Sequence, residues 1–436
     1  MHLTTESYSE KANNRYSALV FFAICGAIIG GTYIRLFSYA ALLFSLIAVV
    51  VLSEEDSICL LMFLMPFASI FKASPTSQSF FTYLLLFYVL WCLFKKRRIN
   101  ASFLRHFVFL LVFLVSQMLI SVNILRTVKF VANILFIYYV VNGNTHKDNK
   151  RIYLYYILGI IMSSAVAAFG LIPDLSKYVE IKALSQYYDN LVRFTGLYGD
   201  PNYYSINVII SLCLTVILYH KKQLGTVLTL LFAAALVTFA IMTYSKSAFL
   251  MLLLPLLLLL YSQVRKRKYF VFALLFLAAI ILLSRVLARR IDAFDVVLSR
   301  LFGDNGGSLT TGRDTIWENY IGYFSKSWWT VIVGGGFNAA LVNEHAAHNT
   351  YIDLIYYLGL VGTILLGGVF YAIIKPAPNP EKTNFLNYSI WLCLMAMYFF
   401  LSELFYFDLA FHIIIAILIS KTDMNVSPRG GKNEKI

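Results

Sequence analysis

The chain has 436 residues, 60% of them hydrophobic and 13% charged, and a mean hydropathy of +0.73. That composition excludes a soluble domain with a polar exterior and predicts an all-α integral membrane protein, read as a single membrane domain over 1–436. The net charge of +14 does not predict a nucleic-acid partner, because the basic residues gather in short loops between apolar runs, where they set membrane orientation.

In chain order, the polar start "MHLTTESYSEKANNRYS" offers no convincing small-residue cleavage site, so no signal peptide is expected. Apolar runs suited to a bilayer core of ~30 Å then predict spans near 18–34, 37–52, 57–71, 79–94, 104–122, 124–142, 152–172, 202–219, 224–243, 245–262, 268–285, 350–374, 385–401 and 403–420. That is a polytopic protein with about fourteen transmembrane helices, the division of 385–420 into two being the least marked. Placing both termini in the cytoplasm puts "KKRRINASFLRH", "NTHKDNKR", "HKKQ", "RKRK" and "KPAPNPEKTN" on one side. It also places the two long connections, 173–201 and 286–349, outside, and leaves 421–436 as a flexible cytoplasmic tail.

The short inner loops leave no room for a nucleotide-binding domain, and neither GxxxxGK[ST] nor GxGxxG occurs. Cys25, Cys59, Cys92, Cys213 and Cys393 all fall inside apolar runs without a CxxC pair, so neither a disulfide framework nor a metal site is expected. His345 and His348 have a spacing compatible with zinc but lack obvious further ligands, so the expected metal and cofactor complement is none. No inverted duplication of transporter type is visible, and the Leu run around Pro255 needs only a buried or lipid-facing role.

Chemistry is therefore expected in the outer connections. They carry "RFTGLYGDPNYYS" (193–205), "RLFGDNGGSLTTGRDTIWENY" (300–320), "VGGGFN" (333–338) and "NEHAAHNTYIDLIYYLGL" (343–360). Arginine forks pair bidentately with phosphate and stay charged, so Arg193 and Arg313 are the first candidates for an anionic lipid headgroup. Arg289, Arg290, Arg300 and Lys326 show how common such cations are here, and snorkelling or an ordinary solvated charge explains any one of them as well. Asp200 and Pro201 read best as the cap and first residue of the following helix. The glycines at 334–336 read either as a turn or as a nest of N–H groups for a phosphate.

Of the seven histidines, only His345 and His348 face outward. Neutral imidazole is the usual general base near neutral pH, and a helix start both disfavours its protonation and attracts an anion, which favours His348 over His345. The plainer alternative is that Asn349 caps the helix and the histidines decorate a loop. Arg126 and Lys129, at the outer end of the sixth span, are further candidates or snorkelling cations. Asp353, Glu403 and Asp408 rank below them.

The order of "RFTGLYGDPNYYS", "TGRDTIW", "VGGGFN" and "HNTYIDLIYYLGLVG" over about 193–368 resembles the O-antigen polymerase and O-antigen ligase superfamily of bacterial envelopes. The resemblance implies a metal-independent glycosyltransferase in the bacterial inner membrane, acting at its periplasmic face. Its donor would be an undecaprenyl-pyrophosphate-linked glycan, and in a polymerase the acceptor would be another. By position, Arg193 and Arg313 match arginines thought to hold the pyrophosphate, and His348 matches the histidine thought to activate the acceptor hydroxyl. Arg289 or Arg290, without such a match, is expected to aid in stabilising the leaving pyrophosphate. His345 has no counterpart. Beside the polymerase stand two alternatives, a ligase moving finished glycan onto lipid A core and a transporter or flippase of lipid-linked glycan. Membrane lipids are partners in every case, and the resemblance leaves a chain-length regulator open as a protein partner.

Overall fold

A bilayer core offers no water to satisfy backbone N–H and C=O groups, so apolar runs bond within themselves as helices. The computed structural model describes residues 19–74, 77–95, 97–143, 149–171, 193–263, 312–374, 385–402 and 404–421. Within them the regular elements are helices, joined by two isolated bridges. We number them α1 (Leu19–Tyr33), α2 (Arg35–Val51), α3 (Glu54–Leu64), α4 (Phe81–Phe94), α5 (Ala101–Ile120), α6 (Ile124–Gly143), α7 (Lys150–Ala168) and α8 (Pro201–His220). There follow α9 (Thr226–Met242), α10 (Lys246–Gln263), α11 (Arg313–Lys326), α12 (Trp328–Val333), α13 (Thr350–Ile374), α14 (Phe385–Tyr398) and α15 (Phe407–Lys421).

Five of these, α5, α6, α7, α8 and α13, are long and apolar enough to cross a membrane, and the chain is a helical membrane protein. Helices α1, α2, α4 and α9 are apolar but only 10–17 residues long, so length alone carries five of the spans expected. The span expected at 268–285 lies outside the described residues. Helix α8 forms the axis of the bundle: 83% of its apolar window is buried, against 28% for α5.

Three departures from the expected spans have local causes. The run at 57–71 begins earlier, at α3, where the Ser53 hydroxyl accepts from Asp56 N at 3.2 Å, and it tightens into a 3-10 turn over Met65–Phe71. Pro66 has no N–H to continue the α-helical ladder. The second long connection holds α11 and α12, and the indoles of Trp328 and Trp329 are 64% and 57% exposed, as befits rings that settle at a membrane–water boundary.

The third departure is a break inside α13 at Gly359, whose φ of 63° and ψ of −176° are not helical. The break frees the carbonyls of Tyr356 and Tyr357, and Gly335 N and Gly336 N donate to them at 2.8 and 3.1 Å. Irregular backbone at membrane depth survives only when protein satisfies it. The glycine run at 334–336 supplies that partner, so its Gly335 and Gly336 N–H groups are committed to carbonyls. The phosphate-nest alternative is therefore overturned, and the close-packed turn is correct.

Charge is segregated along the bundle. At the end holding the starts of α3 and α7, Arg97 pairs with Glu54, and Arg151 pairs with Asp56 and, at 3.4 Å, with Glu55. The starts of α6, α8 and α13 lie at the other end, together with α11, α12 and the α14–α15 connection.

Candidate functional site

That second end is organised by residues 399–406, the connection between α14 and α15. Asp200 precedes α8 in extended conformation, and its carboxylate accepts from Asn202 N at 2.7 Å and Tyr203 N at 3.3 Å. The cap expected from "GDPN" is thus present, with Pro201 as the first helical residue. It orients Tyr203, whose hydroxyl donates to Ser402 O at 2.8 Å and whose ring meets Tyr406 with centroids 5.4 Å apart.

Arg193 reaches the same helix start. Its Nε donates to Thr243 O at 2.9 Å and its Nη2 to Asn202 Oδ1 at 3.3 Å, an oxygen that also accepts from the Ser245 hydroxyl at 2.7 Å. The guanidinium is thereby fixed between the end of α9 and the start of α8. Arg313 opens α11 after Gly312 and lies with its Cζ 5.6 Å from the Phe400 ring centroid. Burial pushes its pKa below the ordinary value, while the nearby Asp200 carboxylate and Tyr203 oppose the shift. An arginine so displaced remains a cation at any working pH.

Helix α11 also fixes the segment preceding α13. Trp317 Nε1 donates to Ala347 O and Tyr320 OH to His345 O, both at 2.9 Å, and the Trp317 ring sits 5.0 Å from Phe399. Between these anchors His348 has a φ of 48°, a left-handed conformation that few residues other than glycine adopt and that histidine tolerates better than most. The carboxamide oxygen of Asn349 accepts from Tyr351 N at 2.9 Å and Ile352 N at 3.1 Å, which is the helix cap of the plainer alternative. That cap coexists with the clustering around it. Asn349 N donates to Ser402 Oγ at 3.2 Å, and the Thr350 hydroxyl donates to Leu401 O at 2.5 Å.

Arg313 and the segment around His348, far apart in sequence, therefore meet at one connection, and Arg193 joins them indirectly, through the α8 start whose Tyr203 bonds Ser402. Ser402 joins them, accepting from Asn349 N and from Tyr203 and hydrogen-bonded through its hydroxyl to the buried Asp353 carboxyl. His345 is exposed and enters the described contacts through its backbone. Arg126 approaches the far end of the connection, its Cζ 5.4 Å from the Phe405 ring. Asp408 is buried in the first turn of α15. Arg289, Arg290, Arg300 and Glu403 lie outside the described residues. So does most of the first long connection. Among the described residues no group of three or more His, Cys, Asp and Glu side chains is placed to hold a metal ion.

Sequence reasoning put a break between spans here and ranked Glu403 low, but missed that residues 399–406 organise this end; their signal is the polar pair Ser402–Glu403 within "FFLSELFYF". It also missed a buried network one helical turn deeper. The Asn207 carboxamide oxygen accepts from Tyr156 OH and His412 Nε2, both at 2.8 Å, and its nitrogen donates to Tyr203 O at 2.9 Å. His412 Nδ1 accepts from Tyr398 OH at 2.6 Å. One ring nitrogen donates and the other accepts, which is the pattern of a neutral imidazole. The network ties α7, α8, α14 and α15 together beneath the site. We expect His412→Leu to leave Asn207 and Tyr398 short of a partner and to lower stability by about 2 kcal/mol, with His412→Gln milder. Thermal unfolding in detergent measures this, and an unchanged melting temperature for the leucine variant would contradict it.

The chain matches no protein-family profile, no curated protein and no solved structure.

Proposed function

We propose that the chain is a polysaccharide polymerase of the bacterial inner membrane, with about fourteen spans, cytoplasmic termini and a periplasmic active site. It joins oligosaccharide repeat units carried on undecaprenyl pyrophosphate into O-antigen or a related surface glycan. The observation that supports this reading is that Arg313 and the His348 segment both contact residues 399–406, while Arg193 is held at the start of α8 beside Tyr203, which bonds Ser402. Two cations and a histidine gathered at one end of a helical membrane bundle suit a lipid pyrophosphate leaving group and a general base.

In this mechanism the His348 imidazole takes the proton from a sugar hydroxyl of the incoming unit. The hydroxyl oxygen attacks the anomeric carbon of the growing chain and forms the new glycosidic bond. The bond from that carbon to the lipid pyrophosphate breaks, and the leaving oxygen takes the electron pair. Arg193 and Arg313 neutralise the charge that develops there. Interactions that strengthen only as the leaving charge forms are each worth roughly 3 kcal/mol of barrier. Asp353, Ser402 and Tyr203 hold the helix start and the connection in register.

A point charge does not reproduce the guanidinium fork, so Arg313→Lys is expected to slow transfer about tenfold, equivalent to ~1.4 kcal/mol. Transfer between lipid-linked repeat units by the purified protein tests this directly. Wild-type rates in the lysine variant would remove Arg313 from the leaving-group site.

A further inference from the structure

Helix α6 carries a cation one turn from an apolar cavity, and neither has been given a part in the steps above. Arg126, Phe130, Ile134 and Ile137 recur at intervals of four, four and three residues and so share one helix face. Arg126 Nη1 donates to Phe337 O at 2.9 Å, and its Cζ lies 5.4 Å from the Phe405 centroid. Beneath it the Phe337 ring packs edge-on against Phe130 at 5.2 Å and Phe405 at 4.9 Å. Lys129 follows on the next turn of the same helix.

Below this collar, between α6, α13, α14 and α15, lies a cavity of about 250 Å³ whose walls include Phe130, Ile134, Leu354, Phe370, Leu394 and Ile413. Thr350 and Tyr351 also line it, so it reaches the helix start that follows His348 and Asn349. A cation one helical turn before Phe130 of the cavity wall, and an apolar crevice leading inward, match one anionic head and one hydrocarbon chain. The bilayer is as apolar as the cavity, so burying the chain supplies little net driving force, and selectivity must come from that charge and the fit of a single chain. A glycerophospholipid carries two chains, whereas this crevice between α6, α13, α14 and α15 suits one.

We propose that Arg126 and this cavity bind a polyisoprenyl phosphate or diphosphate, with the phosphate against the Arg126 guanidinium, assisted by Lys129, and the isoprenoid chain in the crevice. Arg313 and Arg193 reach α8 and the Phe400 end of the 399–406 connection, whereas Arg126 reaches the Phe405 end. The site is therefore a second lipid site, distinct from that of the leaving group. Its assignment to the acceptor lipid rests on the reaction proposed above; the binding itself does not.

The test uses the full chain in phosphatidylcholine nanodiscs and a benzophenone-bearing farnesyl diphosphate as photoprobe. Adducts are expected on α6, α13 and α14 peptides lining the cavity. Undecaprenyl phosphate should compete them away, while phosphatidylglycerol and inorganic phosphate should not. Capture should fall about tenfold in Arg126→Gln, the scale of one charge-assisted contact, and also in Ala410→Phe, which fills the crevice. In a transfer assay Arg126→Gln should raise KM for the acceptor about tenfold and leave KM for the donor unchanged. Equal capture by Arg126→Gln, or competition by phosphatidylglycerol, would overturn the proposal. Cross-linking of Ala410→Cys to a cysteine within 264–311 in lipid-bound protein would also overturn it, because the chain itself would fill the cavity. Probe capture without any glycan transfer would leave this site standing and remove the polymerase reading.

Discussion

Replacing His348 with alanine should abolish measurable glycan transfer while the protein still inserts and folds. A positioned general base contributes on the order of 10²–10⁴ in rate, and no other described side chain at this end of the bundle combines a titratable imidazole with the α13 helix start. The backbone complicates a simple reading, because His348 has a φ of 48° and alanine tolerates that conformation poorly, at a cost of roughly 1–2 kcal/mol. His348→Asn separates the two effects. Asparagine accepts left-handed geometry readily but is not a base at neutral pH. Both variants should therefore lose transfer to a similar degree, and only the alanine variant should melt at a lower temperature. Activity retained by the asparagine variant would show that backbone geometry, and not proton transfer, is what His348 provides.

The largest structural effect is expected at the contact between the glycine run and the break in α13. Gly334 has a φ of 84° and Gly359 a φ of 63°, where a Cβ is strained. A Cβ on Gly334 would strike the Tyr357 carbonyl oxygen, and one on Gly359 would strike the Gly334 nitrogen. Both obstacles are backbone, which cannot swing aside as a flexible side-chain tip does. Strain and overpacking together predict a loss of roughly 3–5 kcal/mol for Gly334→Ala or Gly359→Ala. The expected readout is a sharp drop in monodisperse protein after detergent extraction, with a lowered melting temperature in what remains. Gly367 has open space around its Cβ position, so Gly367→Ala in the same helix serves as the neutral control. Normal yield and melting for the Gly334 and Gly359 variants would contradict the packing described here.

How much of this was legible in the sequence follows from the range of the forces involved. Long apolar runs report the bilayer directly, so α5, α6, α7, α8 and α13 were readable, and the Asp200 cap was readable because capping is settled within three residues. The break at Gly359 was not. "YIDLIYYLGLVG" looks like one continuous helix, and the bend is stable only because Gly335 and Gly336, more than twenty residues earlier, bond the freed carbonyls. For the same reason the glycine run was open to reading as an anion nest: its N–H groups are unhindered, and only the fold shows where two of them are spent. The role of His412 was not legible, because its partners Asn207 and Tyr398 come from other helices. At the candidate site, side-chain chemistry, expected outward placement and the family resemblance singled out Arg193, Arg313 and His348 individually. Residues 399–406, which meet Arg313, Tyr203 and the start of α13, carry no motif of their own and act through backbone carbonyls, one serine and aromatic rings.

The central claim is that this chain polymerises lipid-linked repeat units. Deleting its gene and resolving the surface glycolipids on a gel tests that claim most directly. Loss of a polymerase should replace the ladder of long chains by core capped with a single repeat unit, since a separate ligase can still transfer one unit. Bare core with long chains accumulating on the carrier lipid would identify a ligase instead, and an unaltered ladder would contradict any role in assembling this glycan.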